Sequence, residues 1–336
     1  MRKTNKIYSL IALMFCFAFC IQSLSAQETW TLRKCIDYAR EHNIQVQKSQ
    51  TTAQGYQVDV LQSRAALFPS LTGSTTQQFS NSKTVDGNGN YKYEGTLSGA
   101  YSLNASWTVY NGGKNKLAIK QAGMTKQAQD LTTQQQQNSI EISITQAYLQ
   151  LLYYRESIKN YENLLETSTA ELKQADLFLS AGTITRSDHA QVEAEYSSTK
   201  YNLVSARNSY DTYLVQLKQL LELEPQDSFR VEFPEVNENQ VMQIIPAKED
   251  VYRTALSIMP EVENSRMGVD IAKLTRQSAK AGYLPSIAIV GSVGTGNVYN
   301  QSTAFTTQLN RNFGQSLGLT VSIPIFDNRQ NKSNVQ

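Results

Sequence analysis

The chain carries one structural unit twice, and the second copy lies 216 residues after the first without a gap. Leu67-Phe68-Pro69-Ser70-Leu71 matches Tyr283-Leu284-Pro285-Ser286-Ile287, and Val109-Tyr110-Asn111 matches Ile325-Phe326-Asp327. Upstream, Ala39, Val46 and Ser49 fall on Ala255, Val262 and Ser265 at the same offset. A repeat of this kind means that two segments face the same folding problem, so whatever one copy builds the other is expected to build.

Each copy predicts helix, proline, then strands. In the first, Thr31 is placed to cap a helix over 32–43, and a longer helix follows over 44–67 until Pro69 stops it. In the second, a helix over 248–257 precedes one opened by Pro260 and closed before Pro285. After each proline the period changes to two. Leu97, Gly99, Tyr101, Leu103, Ala105, Trp107 and Val109 share one strand face, opposite Ser98, Ala100, Ser102, Asn104, Ser106 and Thr108. In the second copy Leu317, Leu319, Val321, Ile323 and Ile325 share a face, opposite Gly318, Thr320 and Ser322. The partner strands are expected over 70–79 and 287–295, joined by polar loops over 81–95 and 297–312.

Such alternation fits a half-buried strand of a soluble sheet or a strand in a membrane barrel wall. The other face favours the second, because Ser, Thr, Asn and Gly suit a water-filled lumen. Four strands cannot close a barrel, and open edges in lipid leave backbone groups unsatisfied. Strands that enter a membrane here require several copies of the chain.

After the strands of the first copy, residues 113–180 contain no proline and one interior glycine, Gly123. Apolar or small residues recur at Ile140, Ile144, Ala147, Leu151, Tyr154, Ile158, Tyr161, Leu165, Ser168, Leu172, Ala175 and Leu179. Steps alternating between four and three make a 3.5-residue repeat, the pattern of left-handed helix packing. Ala181-Gly182-Thr183-Ile184 breaks this helix, and Thr185 with Asp188 makes a capping box for the next. The returning helix carries Val192, Tyr196, Thr199, Leu203, Ala206, Tyr210, Tyr213, Leu217 and Leu220 on the same steps and ends near Glu224-Pro225. Prolines 225, 234 and 246 mark a linker. Asn111-Gly112-Gly113 is a turn, since no strand–GxxxxGK[ST]–helix context surrounds it.

The N-terminus has the layout of a signal peptide: Arg2, Lys3 and Lys6, an apolar run from 7 to 21, then small residues with cleavage expected after Ala26. Phe19 before Cys20 argues against a lipoprotein site there. Residues 1–26 hold three bases and no acid. The full chain has 31 basic and 29 acidic residues, so the mature chain has 28 and 29, a net charge of −1. No nucleic-acid partner is inferred from that balance. Cys16 and Cys20 leave with the signal, and Cys35 alone cannot form an intrachain disulfide. No apolar run after the signal is long enough for a transmembrane helix. A Cys35 pair with His42 or His189 has no supporting spacing. Glu193 and Glu195, two apart on a helix, point away from each other. Neither catalytic, cofactor nor metal residues are assigned.

The segments at 30–43 (Trp30-Thr31-Leu32-Arg33-Lys34-Cys35), 67–71, 107–113 (Trp107-Thr108-Val109-Tyr110-Asn111-Gly112-Gly113) and 181–188 resemble, in order and spacing, TolC-like outer-membrane factors, a family of outer membrane efflux proteins. The resemblance covers the whole mature chain. It implies a mainly α fold with membrane β-strands: a long antiparallel helical hairpin belonging to an α-barrel, and two β-hairpins giving four strands to a trimeric 12-stranded β-barrel. It implies an outer-membrane location with the helices in the periplasm of a Gram-negative cell. It also implies a homotrimer acting as a passive conduit for solute or protein export, working with a periplasmic adaptor (membrane fusion protein) and an inner-membrane pump. The lipid-facing strand residues would be Leu97, Tyr101, Leu103, Trp107, Val109, Leu317, Leu319, Val321 and Ile323. The adaptor-contact tip would be Gly182, Thr183, Ile184, Thr185 and Asp188, against the plainer reading of an inter-helix turn.

The organisation expected is a signal peptide (1–26), a first unit (27–224) with a β-hairpin over 70–110 and a helical hairpin over 113–224, a linker (225–246), and a partial second unit (247–336) with a β-hairpin over 286–326. At the 216 offset a full second copy would run about 104 residues beyond Gln336, so its helical hairpin and tip are expected to be missing and no gating residue is assigned. The competing readings are a periplasmic coiled-coil adaptor, a truncated fragment without function, and a secreted enzyme.

Overall fold

The computed structural model describes residues 29–85, 87, 89–224, 229–234, 246–299 and 301–336. The signal-peptide reading of 1–26 and most of the expected linker lie outside them. The described chain is mainly helical with antiparallel strands, and it divides into two units: Met1–Ser49 with Thr133–Ala255, and Gln50–Thr132 with Leu256–Gln336.

In the first unit, strand β1 (Thr29–Trp30) leads into helix α1 (Leu32–His42). Thr31 caps α1 by accepting from the Lys34 amide at 3.2 Å, which satisfies one orphan donor of the first turn. Cys35 and Ala39, one turn apart, are fully buried. Asn43 stops α1 in extended backbone and starts α2 (Ile44–Ala65): its Oδ1 accepts from the amides of Gln45 and Val46, while its Nδ2 donates to the Leu220 carbonyl at 3.0 Å. That is how a polar residue only 3% exposed is tolerated,.

Helix α3 (Lys114–Ser180) and helix α4 (Arg186–Leu220) form the hairpin. Every position of the 3.5-residue repeat from Ile140 to Leu179 is buried or half-buried, and so is every one from Val192 to Leu220. The pair Glu162–Arg207 bridges the two helices at 2.7 Å. At the base, Trp30, Cys35, Ala39, Val46, Ile140, Ile144, Tyr148, Leu151, Leu217, Leu221 and Val231 form one cluster. The short strand β4 (Arg230–Val231) closes it by pairing parallel with β1. This is the described part of the expected linker, so 229–234 is a packed segment, anchored by Phe229 against Trp30 at 5.4 Å between ring centroids.

The second unit is built on one antiparallel sheet in the order β2 (Ser70–Val85), β3 (Tyr91–Asn111), β5 (Ser286–Val298), β6 (Gly314–Ser322). Helix α6 (Pro260–Lys280), preceded by α5 (Lys248–Ile258), leads to β5 through a short 3-10 turn. The polar loop expected over 81–95 is a correction: Asn81–Gly95 through Val85–Tyr91 continue the β2–β3 ladder. The loop expected over 297–312 is likewise shorter, because β5 runs to Val298 and a helix, α7 (Phe305–Arg311), forms within it.

The turn out of β3 repeats after β6 in detail. Gly112 and Gly113 have φ of 68° and 84°, and Asn328 and Arg329, 216 positions later, have 53° and 71°. Asn115 donates its amide to Asn111 Oδ1, and Asn331 donates to Asp327 Oδ2. Asn115 Nδ2 reaches the Ala66 carbonyl, and Asn331 Nδ2 the Gly282 carbonyl. Lys114 opens α3 and Gln330 opens α8 (Gln330–Val335). Left-handed backbone costs an L-residue roughly 1–2 kcal/mol. A Cβ on Gly113 would meet nothing, whereas one on Gly112 would stand 2.6 Å from the Ala281 carbonyl oxygen. Gly113→Ala is therefore expected to lose about 1 kcal/mol in a urea-unfolding comparison, and Gly112→Ala distinctly more, because backbone must also move.

Candidate functional site

The sheet separates its side chains by chemistry. Paired residues lie on the same face, so the register assigns each side chain. One face carries the row Leu71–Ala105–Gly291–Leu317, with Trp107–Ile289–Leu319 on one side of it and Leu103–Val293 on the other, and Phe79–Leu97 farther out. The opposite face carries Thr72–Asn104–Ser292–Ser316 and Ser74–Ser102–Gly294–Gly314, interrupted by Ala100, Ala288 and Val290. Its hydroxyls bond sideways, Ser74 to Ser102 at 2.7 Å and Ser292 to Ser316 at 2.8 Å.

The apolar face is uncovered in the single chain: Leu317 is 83% exposed and Leu319 67%. Leu97, Leu103, Trp107 and Val321 are exposed and Tyr101 is half-buried. Trp107 donates its indole N–H to the Leu67 carbonyl at 2.8 Å. Tyr101 accepts at its hydroxyl from Gln77 Nε2. Aromatic rings with a bonded polar end suit a boundary between apolar and wet surroundings.

Two residues assigned to this face need correction. Val109 does not share the alternation, because β3 bulges there: Thr108 pairs with Ala288 and Tyr110 with Ile287. An extra residue restarts the period, so Tyr110 takes the place beside Trp107. Ile323 lies beyond the end of β6, and Ile325 with it. Pro324 lacks an N–H and constrains the residue before it, and the facing strand β5 begins only after Pro285.

The helical tip is a built turn. Gly182, at φ 72°, donates its amide to Leu179 and Thr183 donates to Phe178 at 2.9 Å, a Schellman closure that needs left-handed backbone at Gly182. Thr185 caps α4: its Oγ1 accepts from the Asp188 amide, and Asp188 Oδ2 accepts from the Thr185 amide at 3.1 Å and hydroxyl at 2.7 Å. Those hydrogen bonds, the hydroxyl's first, hold the Asp188 carboxyl below its ordinary range,. Gly182, Thr183, Thr185 and Asp188 are exposed, and Ile184 is half-buried. Just behind, His189 Nε2 meets Asp176 Oδ1 at 2.6 Å across the hairpin. The sequence reading did not find this contact, since the two residues share no periodic signal.

Cys35 is no nucleophile. Burial pushes its thiol up to about 12, where the thiolate is scarcely populated. His42 stacks on Tyr38 with centroids 4.0 Å apart, and His189 is engaged with Asp176. Among the described residues no group of three His, Cys, Asp or Glu side chains could hold a metal ion, and no helix is long and apolar enough to cross a membrane.

The family model for the outer membrane efflux protein domain matches residues 35–222, more than half of the chain. The chain belongs to the outer membrane efflux protein family. It is 24% identical to the outer membrane protein TolC of Escherichia coli over 94% of this chain and 62% of that protein. It is 29% identical to the alkaline protease secretion protein AprF of Pseudomonas aeruginosa over 43% of this chain and 29% of that one. The fold matches the CmeC outer membrane channel of Campylobacter jejuni with a TM-score of 0.75, at 18% identity, covering 90% of this chain and 63% of the other. The chain thus spans about three fifths of the length of the TolC relatives it matches.

Proposed function

We propose that the chain is a subunit of an outer-membrane export channel, a passive conduit for solutes or proteins, in which three copies close one 12-stranded barrel. The observation that carries this is the four-stranded sheet with one large exposed apolar face, one hydroxyl-lined face and two unpaired edges, β2 and β6. In lipid an open edge leaves backbone donors and acceptors unpaired, and closing three sheets edge to edge removes every edge. The apolar face, with Leu97, Tyr101, Leu103, Trp107, Leu317, Leu319 and Val321, then meets the bilayer, and the hydroxyl face lines water. Relatives named for efflux and for protease secretion support export in either sense.

The two hairpins are copies of one unit, residues 27–224 and 247–336, which the matched turns at 111–115 and 327–331 support. The α3–α4 hairpin belongs to a periplasmic helical tunnel. Its exposed tip at Gly182, Thr183, Thr185 and Asp188, with Ile184 packing the turn from within, is the contact for a periplasmic adaptor that links the channel to an inner-membrane pump. The tip's cap and Schellman closure make it a preformed surface.

Membrane fractionation of cells expressing the protein tests the reading. Recovery in the outer-membrane fraction as trimers that survive in detergent until heated is expected. Recovery as a soluble periplasmic monomer would contradict it.

A further inference from the structure

The two hairpins end differently, although both turn at the same end of the sheet. Beyond Phe79 and Leu97 the β2–β3 ladder runs on as a two-stranded arm that carries Lys83, Tyr91 and Tyr93 on one side and Lys92 and Glu94 on the other. The β5–β6 connection instead folds back. Thr295, which lies on the apolar face opposite Tyr101, donates its hydroxyl to the Leu309 carbonyl in α7 at 2.6 Å. Gln308, 6% exposed, accepts from the Val298 amide at 2.7 Å and donates to the carbonyls of Val298 and Thr303 at 3.1 and 2.8 Å. Asn312 Nδ2 donates to the Gly296 carbonyl at 2.7 Å. These bonds pin α7 to the apolar side of the sheet.

The large exposed side chains on and beside the pinned helix are aromatic. Tyr299 is 49% exposed, Phe305 46% and Phe313 57%. Phe313 continues onto the strand face, where it lines a depression of about 360 Å³ with Gly73, Tyr101, Leu103, Val293 and Thr295. Arg311 lies exposed at the end of α7. Aromatic rings beside a cationic side chain, at the edge of an apolar band, are the chemistry of a lipid interface: the rings sit between headgroups and acyl chains while the guanidinium reaches lipid phosphate.

We propose that α7, with Tyr299, Phe305 and Phe313, is an interfacial foot that rests on the outer leaflet around the barrel. The proposal depends on the reading that the sheet's apolar face meets lipid. Its occupant is the surrounding bilayer, because Thr295 and Phe313 make the foot continuous with that face. The β2–β3 arm instead runs on beyond Phe79 as paired strand. The foot gives each subunit a fixed depth in the membrane that the strands alone, free to slide by a pleat, do not set.

Nitroxide labels at Phe305→Cys, Phe313→Cys, Leu319→Cys and Asn104→Cys, the last on the hydroxyl face, test it, one at a time, with the protein in phosphatidylethanolamine–phosphatidylglycerol vesicles. The native Cys35 thiol is buried and unreactive. Accessibility to oxygen, which partitions into lipid, is compared with accessibility to a water-soluble nickel chelate. The expected result is an oxygen-to-nickel ratio at 305 and 313 several-fold above that at 104, approaching that at 319. Adding Gln308→Ala should drop the ratio at 305 toward that at 104. Nickel-dominated 305 and 313 beside an oxygen-dominated 319 would overturn the foot and leave the barrel face standing. Nickel dominance at 319 as well would overturn the face reading itself. Labels at 305 and 313 shielded from both reagents would show α7 buried against protein and would also overturn the proposal.

Discussion

Leu151→Ala in α3 is expected to destabilise the protein by about 2–5 kcal/mol, while Gln150→Ala beside it changes stability by less than about 0.5 kcal/mol. Leu151 is fully buried, in a cluster with Ile144, Ala147, Tyr148, Leu217 and Leu221. Removing its isobutyl group leaves a hole between two long helices whose backbones are tied along their lengths, so the site cannot collapse to fill it. Gln150 faces outward and loses only exposed contacts. The cluster also unites α1, α3, α4 and the β1–β4 pair, so the loss is a large fraction of a domain's total stability, about 5–15 kcal/mol. Urea unfolding followed by circular dichroism, with the two midpoints compared, measures it.

The helical hairpin was legible in the sequence because burial and spacing are the same fact on a coiled seam. The four-three steps from Ile140 to Leu179 mark one stripe, and every one of those positions is buried or half-buried. The caps were legible because Thr31, Thr185 and Asp188 need only local backbone to act. The two-faced strands were legible from Leu97 to Trp107 for the corresponding reason, a period of two over a long run.

The departures have physical causes of their own. Residues 81–95 are mostly polar and centred on a turn cluster, which reads as loop, yet a ladder continues through them, with Val85 paired to Tyr91 and Lys83 to Tyr93. The bulge at Val109 leaves no mark in the side-chain pattern, since the extra residue is set by which backbone groups on β5 find partners. Pro324 was visible, but the match of Ile323 to Trp107 at the 216 offset concealed that the ladder had already ended. Helix α7 is seven residues long and is held by polar bonds from Thr295, Gln308 and Asn312, too little for a periodic signal. The β1–β4 pair is two residues per strand and joins segments some 200 positions apart, and nothing local announces it.

The proposed barrel wall gives the largest expected effect of all. Leu103 and Asn104 are neighbours in the middle of β3, paired with Val293 and Ser292, and they lie on opposite faces. An arginine at the lipid face near the bilayer midplane costs about 2–4 kcal/mol per copy, whereas lumen positions tolerate charge. In the proposed barrel Leu103 lies between Tyr101 and Trp107, inside the apolar band, and three copies would bring the cost of Leu103→Arg to several kcal/mol, enough to abolish assembly. Asn104→Arg points its charge into water and should change ion selectivity while leaving assembly intact.

The yield of heat-dissociable trimer in the outer-membrane fraction, measured side by side for Leu103→Arg and Asn104→Arg, therefore tests the central claim most directly. The two-faced wall predicts near-complete loss of trimer for Leu103→Arg and close to normal trimer for Asn104→Arg. Equal yields for the two, or loss at Asn104→Arg alone, would contradict it.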